Sequence, residues 1–182
     1  MDIVEELRKI YATRGLETFE GDRSCTQSAH GLQTAQNARI AGASAAMITA
    51  ALLHDIGRII NPKDRELTDR GRDAKHEIVG QKYLERWFGP EVTMPIRWHV
   101  AAKRYLVATD PAYRRNLSGG SRRSLKGQGG VLSAAKIDAF IEQPHARDGV
   151  TLRRSDDEAK SPDAKTPPFD HYITTIEACL KA

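Results

Sequence analysis

Cysteine is scarce in this chain of 182 residues, which has Cys25 and Cys179 and no others. Two cysteines are too few for the disulfide framework of a small secreted protein, so both are expected to be free thiols. No apolar run approaches the roughly 20 residues that span a bilayer. The N-terminus, Met1 to Glu6, is acidic and amphipathic and therefore unlike a secretory signal. These absences predict a cytoplasmic protein with no membrane partner.

A strong excess of one charge is also missing. The chain has 28 Lys and Arg against 24 Asp and Glu, a formal net charge of +4, and the two signs are interspersed. This balance argues against a dedicated nucleic-acid surface but fits a local site for an anionic small molecule. Most of the basic residues that cluster between Lys103 and Arg154 are expected to lie on a solvated face.

The third absence is an alternation of apolar and polar residues long enough to predict a strand, and we also find no repeat. Apolar residues at helical spacing instead predict an all-α fold, and the length favours one domain covering residues 1–182. Thr26, Ser44, Ser133 and Asp110-Pro111 are suited to begin helices. The predicted helices cover 2–13, 27–42, 45–57, 76–89, 91–107, 111–117, 134–142, 144–160 and 169–180. Loops are expected at 15–24, at 61–73, at 118–130, which is irregular or briefly helical, and at 162–168; the loop at 61–73 is long enough to act as a flap.

These predicted helices carry a candidate metal site. The apolar run that ends at Leu53 is followed by adjacent His54 and Asp55, and such groups at the end of a buried helix must be solvated, paired or metal-bound. Further candidate ligands follow at helix-length intervals, which in a bundle would let them converge. The full set is His30, His54, Asp55, His76, His99 and Asp156. Since these exceed the needs of one ion, two ions sharing Asp55 are plausible, and nitrogen and oxygen ligands without Cys suit iron, manganese or zinc.

Each candidate has an alternative explanation. His30 and His99 are also compatible with hydrogen-bonded core histidines, His76 with a helix start, and Asp156 with a solvated surface. His145 and His171 are interpreted as non-ligands. Spacing alone leaves the choice open.

Longer motifs carry a family resemblance. His30, His54-Asp55 and Asp156 resemble the H…HD…D pattern of the HD-domain superfamily, most of whose members are phosphohydrolases, and His76 with His99 resembles its dinuclear branch. The chain is more specifically similar to the PhnZ-type oxygenases of phosphonate-degradation operons. That similarity covers nearly the whole chain, and its most specific elements are 99–106 (HVAAKRYL) and 128–130 (QGG), with further matches at 53–57, 76–80, 117–118, 121–122 and 152–156.

The resemblance implies a mixed-valent Fe(II)/Fe(III) pair that uses O2 to cleave the C–P bond of a 1-hydroxyphosphonate. One iron would be held by His30, His54, Asp55 and Asp156, and the other by bridging Asp55 with His76 and His99. The products would be phosphate and a carboxylate such as glycine betaine or glycine. Asp55 and Lys103 would be catalytic, and the residues implied to contact the substrate are Lys103, Ser121, Gln128 and Arg153. The resemblance further implies a 2-oxoglutarate-dependent hydroxylase upstream in the pathway, and we expect a monomer or weak dimer.

Two departures from the family pattern concern the substrate. Familiar members carry a Tyr and a Glu on the loop before the first His, where this chain has Glu20 and Arg23, and Arg58 stands in place of a frequent His. Candidates for a pocket around a trimethylammonium group are Phe19, Glu20, Asp22 and Trp98. Arg58 would add a second phosphonate contact or point to solvent.

Three other functions remain open at this point. Hydroxymethylphosphonate, which has no cationic group, could be the substrate of the same oxygenase chemistry. An HD-type phosphohydrolase would use the metals to activate water in place of O2. A non-catalytic, metal-bound helical module is disfavoured because every ligand position is filled.

Overall fold

Helices form most of the chain in the computed structural model, which describes residues 2–19, 22–159 and 161–181 but not the side chains of residues 19 and 22–24. The α-helices are α1 Ile3–Ala12, α2 Gln27–Ile40, α3 Ala45–Leu53, α4 Ile56–Ile60, α5 Asp64–Asp69, α6 His76–Leu84, α7 Pro90–Thr109, α8 Pro111–Asn116, α9 Gly119–Gly127, α10 Ala134–Ile141, α11 Ala146–Asp157 and α12 Ile173–Glu177. The predicted all-α class is confirmed.

Several helices begin where a side chain can cap them. Thr26 Oγ1 accepts a hydrogen bond from the Ala29 amide at 3.1 Å, and Ser44 Oγ accepts one from Met47 at 3.2 Å. Asp110 caps α8 in the same way, accepting from the Tyr113 amide at 3.0 Å. These three predicted caps are present because a Ser, Thr or Asp oxygen can satisfy an amide that has no partner inside the helix. Ser133 precedes α10 without a side-chain cap bond.

The prediction missed several short elements. Strands β1 (Thr18–Phe19) and β2 (Asp22–Thr26) pair antiparallel where a loop was expected. The two residues of β1 are too few to show alternation, and the five of β2 are almost all polar. Helix α5 lies within the expected loop 61–73, and α9 occupies most of 118–130. The last predicted helix is instead a 3-10 turn, Phe169–Tyr172, followed by the short helix α12.

The prediction that a helix ends at Gly57 is wrong. Helix α3 ends before His54, and α4 begins immediately after Asp55, with Gly57 inside it. A Cβ built on Gly57 would lie 2.0 Å from the main-chain oxygen of His76. Gly57 is therefore needed for the close approach of α4 to α6 and does not act as a terminator.

The long helix α7 lies at the centre of the packing and contacts α3, α6 and α11. Its Val92 and Ile96 belong to the main hydrophobic core, together with Leu53 of α3 and Leu152 of α11. A second cluster on the other side of α7 contains Ala102, Leu132, Phe140 and Ala146, and Trp98 packs against it. Among the described residues, no helix is long and apolar enough to cross a membrane.

Candidate metal centre

The six predicted ligands lie side by side in the interior of the helical packing, and all of them are buried. They come from α2, the α3–α4 junction, the first residue of α6, the middle of α7 and the end of α11. We call these six residues the metal cluster: His30, His54, Asp55, His76, His99 and Asp156. These residues are separated by helix-length intervals in the sequence. The packing of α7 against α3, α6 and α11 brings them together.

Asp55 lies between two pairs of histidines. Its Oδ1 is 3.1 Å from His76 Nε2 and 3.7 Å from His99 Nε2. Its Oδ2 is 3.9 Å from His30 Nε2 and 3.7 Å from His54 Nε2. The two groups, one with His30 and His54 and the other with His76 and His99, could each hold a metal ion. One carboxylate thus presents a different oxygen to each group, which is the arrangement that a bridging ligand requires.

Asp156 lies on the side of the first pair. Its Oδ1 is 3.1 Å from His30 Nε2, and its Oδ2 is 3.9 Å from His54 Nε2. This placement gives the group around His30 and His54 two carboxylates, whereas the group around His76 and His99 has one. The ligand division that the resemblance implied is compatible with this geometry.

The imidazole rings are oriented by main-chain carbonyls. Nδ1 of His30 lies 2.7 Å from the Ala159 oxygen, Nδ1 of His54 lies 2.8 Å from that of Ala51, and Nδ1 of His99 lies 2.7 Å from that of Ile96. A carbonyl can only accept, so the hydrogen-bond network assigns the proton to Nδ1 and leaves the lone pair on Nε2. In all three rings that lone pair faces the centre of the cluster.

These nitrogens fit a metal. Burial lowers the pKa of His54 and His99 and so favours the neutral form that coordinates metals. His54 Nε2 is fully buried and has no hydrogen-bond partner, and the Nε2 atoms of His76 and His99 face each other at 3.1 Å. A cation held by these atoms would satisfy them, whereas buried polar atoms otherwise rarely lack a partner. The donors are nitrogen and oxygen without sulfur, a set that suits iron, manganese or zinc.

Asp55 is ionised in this environment. Burial opposes its ionisation, but the electrostatic interactions of the carboxylate with Arg58, His54 and His76 more than offset burial and hold its pKa well below the ordinary value. Arg58 Nε is 3.3 Å from Asp55 Oδ2, and its Nη1 is 3.5 Å from Asp64 Oδ2. Of the two orientations considered for Arg58, the structure has the one that faces the site and not solvent.

A cavity opens onto the metal cluster, next to Asp55, His76, His99 and Asp156. Its other side is rich in cations and hydrogen-bond donors. We call these residues the anion wall: Arg58, Lys103, Ser121, Arg123, Ser124, Gln128 and Arg153. All the substrate-contact residues that the resemblance implied, and that the structure describes with their side chains, line this cavity. Such a wall suits an anion with several oxygen atoms, because cations and hydroxyl donors can bind each oxygen.

Lys103 supplies the amine of the anion wall and is deeply buried, with 2% of its surface exposed. Its Nζ donates a hydrogen bond to Ser124 Oγ at 2.8 Å. Burial, helped by the nearby charge of Arg153, lowers the pKa of Lys103 to about 7. A dianion bound beside Lys103 would favour its charged form.

Arg153 and Gln128 complete the polar surface of the cavity. Arg153 Nη1 lies 2.6 Å from Asp156 Oδ2, and its Nη2 donates to Ser121 Oγ at 3.3 Å. The Gln128 side chain is buried, and its Oε1 has no hydrogen-bond partner. A ligand with a hydroxyl group could donate to this oxygen.

Some predicted site residues lie elsewhere. Trp98, a candidate for the trimethylammonium pocket, is absent from the cavity lining: its Nε1 donates to the Pro144 oxygen at 3.0 Å and its ring packs against Phe140. This prediction is wrong because Trp98 points into the second hydrophobic cluster. Glu20 lies outside the described residues, and for Asp22 and Phe19 only the backbone in the β1–β2 pair is described.

Sequence reasoning also missed residues that line or support the site. Ser124 accepts a hydrogen bond from Lys103, and Arg123 lines the cavity. One signal was available: Ser124 follows Ser121 by three residues, which places both on the same face of a helix. That signal could be used only if 118–130 had been predicted as a regular helix.

Two groups of histidines around a shared carboxylate, inside a helical bundle, define a candidate dinuclear metalloprotein. The model of the HD domain matches residues 28–126, which is more than half of the chain. The chain therefore belongs to the HD-domain family, and the resemblance predicted from the motifs is confirmed.

Curated relatives of similar length narrow the comparison. The chain is 42% identical over 161 residues to a hydroxymethylphosphonate dioxygenase of Gimesia maris, covering 88% of this chain and 80% of that protein. It is 36% identical over 176 residues to the [1-hydroxy-2-(trimethylamino)ethyl]phosphonate dioxygenase (glycine-betaine-forming) of Leisingera caerulea, covering 97% and 89%. An uncharacterized protein, L432, of Acanthamoeba polyphaga mimivirus is 32% identical over 171 residues, covering 93% and 78%.

Proposed function

We propose that this protein is a metal-dependent dioxygenase that uses O2 to cleave the C–P bond of a 1-hydroxyphosphonate, releasing phosphate and a carboxylate. The observation that carries the proposal is the cation-lined cavity that opens onto Asp55 between its two histidine pairs. The names of two relatives, both phosphonate dioxygenases, support it. Residues 1–182 would form one catalytic domain.

The proposed cofactor is a pair of iron ions. His30, His54, Asp55 and Asp156 would hold one, and Asp55, His76 and His99 the other. When bound, the Fe(II)/Fe(III) pair would supply the O2 activation and the redox chemistry of the reaction. The support from this chain is its donor set, in which four imidazoles and two carboxylates meet in a buried site.

The anion wall would bind and orient the substrate. The phosphonate would accept hydrogen bonds from Lys103, Ser121 and Arg153, and its 1-hydroxyl would lie toward the metal cluster or donate to Gln128 Oε1. Charge-assisted bonds of this kind are about twice as strong as neutral ones. The burial of Lys103 and Arg153 keeps competing water from these bonds, so the reacting C–P bond is held in one position.

The charge of the cavity favours hydroxymethylphosphonate as the substrate. Among the described side chains that line it, the carboxylates are Asp55 and Asp156, and both face histidines and arginines. An ammonium group would need a further carboxylate or an aromatic cage. The 2-amino and trimethylammonium substrates remain candidates through Glu20 and Asp22. A 2-oxoglutarate-dependent hydroxylase upstream would supply any of these hydroxyphosphonates, and we propose a monomer or weak dimer.

Phosphate release with and without O2 tests the proposal against the phosphohydrolase alternative. The iron-loaded protein should release phosphate from hydroxymethylphosphonate in air and none under strict anaerobiosis. Equal release without O2 would identify a hydrolase. The same assay with 2-amino-1-hydroxyethylphosphonate and 1-hydroxy-2-trimethylammonioethylphosphonate ranks the three substrates. Iron content by metal analysis and mass by sedimentation complete the test.

A further inference from the structure

Arg153 has partners on the side facing away from the cavity as well as on the side facing it. Its Nε donates to Asp157 Oδ2 at 2.8 Å and to Tyr113 Oη at 3.2 Å. Its Nη2 donates to Asp157 Oδ1, so the carboxylate binds the Nε–Nη2 edge with both oxygens. Tyr113 Oη in turn donates to Asp157 Oδ2 at 2.5 Å. Neither Tyr113 nor Asp157 lines the cavity.

The other edge of the guanidinium faces the site. Nη1 lies beside Asp156 Oδ2, at 2.6 Å, and Nη2 reaches Ser121 Oγ at 3.3 Å. Arg153 therefore connects an outer pair, Tyr113 and Asp157, with a member of the metal cluster and a member of the anion wall. Asp156 and Asp157 can bind the same arginine because they follow it by three and four residues on one helix.

We propose that Asp157 and Tyr113 are positioning residues, which fix the plane of Arg153 and thereby hold its Nη1 edge toward Asp156 and the bound phosphonate. The inference rests on the proposed function and adds two residues from outside the cavity to it.

The planarity of arginine explains why an outer partner would matter. A two-oxygen contact from a carboxylate fixes both the position and the plane of a guanidinium, whereas a single contact leaves it free to rotate. While Asp157 binds the Nε–Nη2 edge, Arg153 contacts Asp156 through a single pair of atoms, Nη1 and Oδ2. Without Asp157, Arg153 could turn and bind both oxygens of Asp156. That would compete with the metal for the carboxylate and remove a donor from the phosphonate.

Tyr113 fixes the direction of this network. An ionised carboxylate can only accept, so the Tyr113 hydroxyl must point its hydrogen at Asp157 and leave a lone pair for Arg153 Nε. Tyr113 is held in place because the Asp110 cap binds its amide at the start of α8. Elements α8, α9 and α11 thus meet at Arg153.

A double-mutant cycle tests whether Asp157 acts through Arg153. The dissociation constant of hydroxymethylphosphonate is measured by calorimetry on iron-loaded protein under argon, so that turnover does not interfere. We expect Asp157→Asn and Arg153→Lys each to weaken binding about tenfold, and Tyr113→Phe about threefold, because each removes a charged or polar bond. The double variant D157N/R153K should bind no more than about twofold worse than R153K alone, since coupled residues are not additive.

Exposed positions on α11 and immediately after it provide matched controls. Arg147→Lys and Glu158→Gln repeat the same chemical changes at exposed side chains, and both should leave binding unchanged. Additive effects of D157N and R153K, or equal losses in the controls, would overturn the positioning role. If the wild type binds phosphonate and turns over with O2 but the double-mutant cycle is additive, this inference alone is overturned. If the wild type binds no phosphonate, both proposals are overturned.

Discussion

The metal cluster and the anion wall hold their side chains with different partners. In the metal cluster, the imidazoles of His30, His54 and His99 each contact a main-chain carbonyl. In the anion wall, Lys103 is held by the Ser124 hydroxyl and Arg153 by the Asp157 carboxylate. A ring that is hydrogen-bonded to the main chain keeps its position as long as the helices stay packed. A group that is hydrogen-bonded to a side chain depends on that one side chain. We therefore expect the cluster to be sensitive to helix packing and the wall to single side chains.

The largest effect is expected from Asp55→Ala. Both histidine pairs face this carboxylate, so its loss should remove both irons, and phosphate release should fall by well over 100-fold. Mutation of a residue that only hydrogen-bonds to a metal ligand already lowers metal affinity or activity about 10–100-fold. Iron per chain and phosphate release are the measurements.

Two further variants complete this experiment. His99→Ala should lose the iron of one group while keeping the other, because His99 lies with His76 on the Oδ1 side of Asp55. His145→Ala, a histidine outside the cluster that contacts Asp148, should keep both. An Asp55→Ala protein that retains iron and turnover would refute the bridging role.

A pair of glycine substitutions compares helix packing in the two regions. In Gly57→Ala, the new Cβ would meet the His76 oxygen at 2.0 Å and the Gly80 amide nitrogen at 2.8 Å. Both are main-chain atoms, so α4 and α6 must separate, and His76 would move with α6. We expect the free energy of unfolding to fall by about 3 kcal/mol, with loss of iron, as measured by denaturant titration and metal analysis.

Gly119→Ala is the control on the anion-wall side. The nearest atom to its Cβ would be Arg123 Nη1 at 3.7 Å, an ordinary contact. The stability should change by less than about 1 kcal/mol, the scale of a Gly-to-Ala change in a helix. If both variants behave alike, the two regions do not differ in their dependence on packing.

The sequence predicted one of these regions better than the other. The ligands of the metal cluster could be found because they are spread over four helices and the α3–α4 junction, and caps such as Thr26 and Ser44 set where some of those helices begin. The family motif then grouped the ligands. The short elements α4 and α5 and the β1–β2 pair could not be found, since they are too short to show a period.

The hydrogen-bond partners of the anion-wall residues could not be predicted from local sequence patterns. Asp156 and Asp157 are neighbours of the same residue type, yet one faces His30 and the other binds the outer edge of Arg153. Asp156 contacts α2 and Asp157 contacts α8, and both of these partners are distant in sequence. Trp98 was misplaced for the same reason, because its direction is set by Phe140 and Pro144, which are distant in sequence.

A pH series tests the anion wall at Lys103. Its pKa is lowered to about 7, so the amine is charged below that pH and loses its proton above it. Affinity for hydroxymethylphosphonate should therefore weaken as pH rises through 7, by up to about tenfold per unit. Lys103→Arg keeps its charge, and the ionisation of the ligand is common to both proteins. The ratio of their dissociation constants should consequently change with pH; a constant ratio would contradict the assignment.

The same titration has a consequence for folding. Unfolded Lys103 would hold its proton up to about pH 10.5, the ordinary value, so between about 7 and 10.5 the unfolded chain binds more protons than the folded one. The contribution of Lys103 to the free energy of unfolding must therefore rise with pH between about 7 and 10.5. Lys103→Met should lack this rise, as measured by the pH dependence of the free energy of unfolding in the ligand-free protein.

The smallest effect is expected from Ser124→Ala. The change removes the oxygen that accepts from Lys103 Nζ at 2.8 Å, and a net hydrogen bond of this kind contributes about 1 kcal/mol, or roughly fivefold in affinity for hydroxymethylphosphonate. Ser124→Thr, which keeps the hydroxyl, is the matched control and should bind as the wild type does. Ser124 Oγ otherwise donates to the Ser121 carbonyl of its own helix, and no member of the metal cluster depends on it. Iron content should therefore stay unchanged, and a loss of iron in Ser124→Ala would show that the wall and the cluster are not held independently.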